Sequence, residues 1–88
     1  MAESNLVIVE ERHIERGVPE SEEACAVALA LQEKFPASTC VVGPLDFEID
    51  GVLFKLPAEV IEFVSNFDAS YPVQPLAFEL VPQKFIKD

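Results

Sequence analysis

Basic side chains, glycine, histidine and cysteine are all scarce in this 88-residue chain. Each scarcity excludes something. Three isolated glycines, Gly17, Gly43 and Gly51, leave no glycine-rich loop to cradle a phosphate. Six Lys and Arg against sixteen Asp and Glu give a net charge of −10, which repels nucleic acid as a direct partner. Cys25 and Cys40 lack the close Cys or His companions of a zinc site. They read as small buried hydrophobes, unpaired in a reducing compartment. No apolar run approaches the roughly 18 residues of a membrane span. No basic stretch precedes an apolar one near the N-terminus, so no signal peptide is expected. The expectation is a cytoplasmic protein without a membrane partner.

What the chain does have is apolar residues. Half of it is hydrophobic, and Val, Ile, Leu and Phe recur along its whole length, which excludes a disordered acidic tail. Its length predicts one compact domain, residues 1–88, with a single modest core.

"NLVIVE", residues 5–10, is β-branched and reads as a strand. "ERHIERGVPESEE" carries Gly17 and Pro19 and is expected to be a loop leading into a helix over residues 20–35. Glu20, Glu22 and Glu23 would then lie at the positive end of that helix dipole. From Ala24 to Leu31 no residue is polar, so this helix should be covered on more than one side. "STCVVG" is a second strand. In "LDFEIDGVLFKLP", residues 45–57, alternation up to Asp50-Gly51 predicts a hairpin with a two-residue primed turn. That register sets Ile49 against Val52, Phe47 against Phe54 and Leu45 against Leu56 on one face, with Asp46 opposite Lys55 and Glu48 opposite Leu53 on the other. Pro57 starts a helix in which Val60, Phe63, Val64 and Phe67 form an apolar stripe. "LAFELV", residues 76–81, is the last strand. The order β-α-β-β-β-α-β predicts an α+β fold: a small antiparallel or mixed sheet with two helices packed on it.

Chemistry is harder to find. Asp46, Glu48, Asp50 and Gly51 imitate the start of a calcium loop, but its twelfth position, where a bidentate Glu belongs, is Pro57. Catalysis would have to use the lone His13 with Cys25 or Cys40, and nothing in the spacing pairs them. A surface or capping role suits a lone loop histidine better. No enzyme activity, catalytic residue, metal or cofactor is expected. The charge itself remains. Residues 1–50 hold eleven acids and three bases, and residues 51–88 hold five and three. A surface this negative is drawn toward basic proteins that grip phosphate backbones. On a strand, carboxylates two residues apart are spaced by about 6.6–6.8 Å, close to the interval between every second phosphate on one DNA strand. An acidic face that only keeps an apolar protein soluble is the plainer reading.

"HIERGVP", then "CAVALAL", then "FKLPAEVIEFVSNFDASYPVQPLAFEL" together resemble a group of small bacteriophage and prophage proteins. That group shares His-Ile-x-x-Gly-x-Pro, Cys-x-x-Ala-x-Ala-Leu and Phe-Asp…Pro-Val-x-Pro segments. The resemblance covers most of residues 6–81, although many relatives have proline where this chain has Ala26. Small acidic phage proteins include anti-CRISPR proteins, which bind an effector complex and keep it from DNA. The resemblance therefore implies an inhibitor acting in the host cytoplasm on a protein with a basic nucleic-acid-binding surface. The residues expected to meet that surface are Glu10, Glu11, Glu15, Glu20, Glu22, Glu23, Asp46, Glu48 and Asp50, with the protein a monomer or homodimer. The competing expectation is a phage structural or assembly protein that self-associates through apolar surface.

Overall fold

The computed structural model describes residues 6–80. The elements are β1 (Leu6–Val9), α1 (Glu11–Arg16), α2 (Ala26–Lys34), β2 (Cys40–Val42), β3 (Asp46–Ile49), β4 (Val52–Lys55), α3 (Ala58–Asp68) and β5 (Leu76–Glu79). Of the expected strands, Asn5 and Val81 lie outside the described residues. No helix among the described residues is long and apolar enough to cross a membrane.

The fold is α+β, as expected, with the strands divided into two antiparallel sheets rather than one. β1 pairs with β5, setting Val7 opposite Phe78 and Val9 opposite Leu76. β2, β3 and β4 form the other sheet in that order. One core serves both. Phe47 of β3 stacks on Phe54 with ring centroids 5.1 Å apart and meets Phe78 of β5 edge-on at 6.1 Å. Both are favourable aromatic geometries, and they join the two sheets.

The hairpin has the expected register, with Asp46 opposite Lys55, Phe47 opposite Phe54, Glu48 opposite Leu53 and Ile49 opposite Val52. Asp50 and Gly51 turn it with φ of 51° and 85°, the positive pair that a primed turn requires. Of the six residues expected on the buried face, Phe47 and Leu56 are buried and Ile49 and Phe54 are half-buried against the core. Leu45, on the bend before β3, and Val52, beside the Asp50-Gly51 turn, are instead 62% and 54% exposed.

α2 is covered on several sides, as its unbroken apolar run predicts. It packs against α1, β1 and β2, and Ala26, Ala28 and Ala30 are all buried. α3 buries Val60, Phe63, Val64 and Phe67 and leaves Glu59 and Glu62 exposed.

Two expectations before α2 are corrected. Residues 11–16 are a helix, α1, not a loop. The Glu10 N–H donates to His13 Nδ1 (2.8 Å) and the His13 N–H donates to the Glu10 carbonyl (2.9 Å), a reciprocal cap of its first turn. The second helix begins at Ala26 rather than near residue 20. Glu20 has φ 66°, which no helix continues through, and Ser21 Oγ accepts the Ala24 N–H at 3.1 Å to close a separate turn. Glu20, Glu22 and Glu23 thus stand on a turn, outside the first turn of α2. Gly17 is there for space: a Cβ would come within 2.7 Å of the Ala26 nitrogen and 2.8 Å of the Phe67 ring.

Candidate interaction site

The nine acidic residues fall into two sets. Two are bonded within the fold, and a third, Asp46, is half-buried. Glu10 accepts from Arg12 Nε at 2.8 Å beside the α1 cap. Asp50 accepts the Thr39 N–H at 2.9 Å, while its own N–H donates to the Thr39 carbonyl, also at 2.9 Å. Hydrogen bonds from the Ser38 side chain and the Thr39 N–H hold the Asp50 carboxyl below its usual range. Asp46 is half-buried and faces Lys55 across the hairpin. The regular comb of three carboxylates therefore does not form, since Asp50 has turned out of the strand to bracket the loop before β2. Glu48 alone of the three stays exposed and uncommitted.

The other set is Glu11, Glu15, Glu20, Glu22, Glu23 and Glu48. All are exposed, and none has a side-chain hydrogen bond or ion pair among the described residues. Glu11 and Glu15 are one turn apart on α1, so they share a face. Glu20 and Glu22 project where the turn before α2 meets α3. The Glu20 N–H donates to Asp68 Oδ1 at 2.8 Å, which brings a further carboxylate to the same place. The Glu22 carbonyl accepts the Val42 N–H at 2.8 Å and so fixes this turn to β2.

Glu20 and Asp68 edge a groove of about 500 Å³ between α3 and the Pro44–Leu45 turn. A smaller depression of about 220 Å³ continues it past Glu22 toward Val42. Glu20, Pro44, Val64 and Asp68 line both. Ile61 and Ser65 of α3 and Ala69 just past its end recur at intervals of four residues and make one wall. Sequence reasoning missed Asp68 because it lies 48 residues from Glu20 and nothing in its local pattern marks it.

The other cluster missed from sequence is around Glu33. Arg12 forks onto both its carboxylate oxygens at 2.6 and 2.7 Å, and His13 Nε2 lies 2.8 Å from Oε1. Those partners, Arg12 first, lower the Glu33 carboxyl to about 2. His13, expected at the surface or as a cap, caps α1 while buried. Both its ring nitrogens are taken, by the Glu10 N–H and by Glu33, and neither contacts a thiol. Cys25 and Cys40 are free and buried, and burial raises both thiols above their usual range. Among the described residues no three His, Cys, Asp or Glu side chains are grouped to hold a metal.

No family model, curated protein or solved structure matches this chain.

Proposed function

We propose that the protein is a phage-type acidic inhibitor, anti-CRISPR-like, that binds a basic nucleic-acid-handling complex of the host and occupies its DNA or RNA site. One observation carries this reading: six of the nine candidate carboxylates are exposed and unneutralised, and Glu20 and Glu22 gather with Asp68 at one groove. Carboxylates that served only solubility would work equally well spread over the surface. A concentrated set focuses potential and steers a basic partner. The contacts would replace phosphates on Lys and Arg with Glu11, Glu15, Glu20, Glu22, Glu23 and Glu48, while Glu10 and Asp50 hold the scaffold.

Competition tests this. Labelled target DNA is bound to each of a panel of purified CRISPR effector complexes, and the protein is titrated in. Loss of DNA from at least one complex near stoichiometric protein is the expected result. DNA retention on every complex at large excess would remove the inhibitor reading.

Apolar exposure favours one other reading. Ile8, on the outer face of the β1–β5 sheet, is 51% exposed, and Leu45 and Val52 also face solvent. Such residues suit a self-associating phage assembly protein. Sedimentation at rising concentration separates the two, since an assembly protein oligomerises alone.

A further inference from the structure

We infer that the groove between α3 and the Pro44–Leu45 turn receives an extended basic segment of the partner. One apolar side chain seats on Leu45, Ile61 and Val64, and Lys or Arg heads meet Glu20, Glu22 and Asp68. This rests on the reading of a basic partner and adds where, and through what chemistry, that partner is anchored.

Shape gives the first argument. Ser65 and Ala69 are small and exposed, so the wall of α3 is set back from the turn opposite, and about 500 Å³ is left open. That is the size of a ligand cleft, with an apolar floor and few polar groups. Leu45, 62% exposed, lines this space from the turn opposite.

Electrostatics decides the occupant. Among the described residues no Lys, Arg or His lines the groove or its continuation. α3 also ends here, on Asp68 and with no basic residue in its last turn, so the negative end of its dipole adds to three carboxylates. An acid at a helix C-terminus opposes that dipole. Asp68 is tolerated because it holds the Glu20 N–H, and a cation entering the groove would relieve the remaining repulsion. A second copy of this chain, at net −10, is a poor occupant for so acidic a site. Lys and Arg carry their charge on aliphatic stems, which suits an apolar floor with a charged rim.

The test uses the whole protein, ¹⁵N-labelled, titrated with acetyl-Arg-Leu-Arg-amide, acetyl-Arg-Gly-Arg-amide and acetyl-Glu-Leu-Glu-amide. Saturable shifts at the amides of Glu20, Ile61, Ser65 and Ala69 are expected with the Leu peptide. They should be about tenfold weaker with the Gly peptide, which lacks the apolar anchor, and absent with the acidic one. Ser65→Arg, at an exposed position, should abolish them and leave the rest of the spectrum in place. Absence of groove shifts, equal binding by the Gly peptide, or shifts spread evenly over α1 and the hairpin would overturn the inference. So would concentration-dependent groove shifts without peptide that Ser65→Arg removes, because the groove would then serve a second copy. If wild type and Ser65→Arg displace DNA equally from an effector complex, the groove is wrong and the inhibitor reading stands. If the groove binds the Leu peptide while no complex loses DNA, the groove stands and the inhibitor reading falls.

Discussion

His13 and Glu33, twenty positions apart in the chain, meet with imidazole Nε2 2.8 Å from carboxylate Oε1. The opposite ring nitrogen, Nδ1, accepts the Glu10 N–H and so carries no proton. The proton of the neutral ring is therefore on Nε2, donated to Glu33. One buried side chain caps α1 and fastens it to α2.

Long-range ¹H–¹⁵N spectra of the neutral protein should show the Nε2–H tautomer of His13, and the Nδ1–H form would contradict the arrangement. His13→Ala removes the acceptor of the part-buried Glu10 N–H and should cost about 0.5–2 kcal/mol, the loss of a helix cap. His13→Asn, whose amide oxygen can take the place of Nδ1, should recover more stability than His13→Gln. Urea midpoints of the three variants measure this.

Acid should reach the same junction. The Glu33 carboxyl is lowered from 4.5 to about 2 by Arg12 and then His13. A lowered carboxyl contributes stability in full above its unfolded value, and that contribution is lost as pH falls through the folded value. The Glu33 share should thus disappear between about pH 4.5 and pH 2. Because the pair is exposed, added salt should shrink it. Carboxyl-carbon NMR following Glu33 through acid checks the titration, and a midpoint in the ordinary Glu range would contradict it.

Two glycines should fail differently. Gly17 has φ −69°, open to any residue, yet a Cβ there meets the Ala26 backbone nitrogen at 2.7 Å. Backbone cannot swing aside, so Gly17→Ala should cost about 1–3 kcal/mol through overpacking. Gly51 has φ +85° and nothing within 4 Å of a Cβ. There Gly51→Val should cost more than about 1 kcal/mol through strain alone, and Gly51→Asn should be milder. Equal tolerance of Val and Asn at position 51 would contradict this.

Where an element follows local pattern it was legible in the sequence. Period-two alternation around Asp50-Gly51 set the hairpin register, and four-residue recurrence set the buried stripe of α3. What escaped depends on contacts between distant residues. α1 is six residues long and is held by a histidine cap and by Glu33, so Gly17 and Pro19 outweighed its helical signal. The start of α2 moved because Glu20 takes a left-handed conformation with its N–H on Asp68. Of the candidate carboxylates, sequence named the uncommitted ones but could not separate them from Asp50, whose role depends on Thr39, eleven residues away.

Ala28 tests the close packing of α2. It is fully buried where the helix is enclosed by α1, β1 and β2. Ala28→Leu should overpack this site and lower stability by about 1–3 kcal/mol in chemical denaturation. An unchanged midpoint would mean that the helix is not enclosed.

The most direct measurement is the affinity of the protein for a purified CRISPR effector complex across a salt series, wild type beside a triple variant with Glu20→Lys, Glu22→Lys and Glu23→Lys. These three residues are exposed and lie outside α2, so the reversals should leave the fold intact. Exposed charges are screened beyond a Debye length of about 8 Å at physiological ionic strength. Binding that is tight at low salt, weakens steadily as salt rises and is lost in the triple variant is the predicted result. Binding indifferent to both salt and reversal, or absent from every complex at low salt, would contradict it and leave the acidic surface as a solubility device.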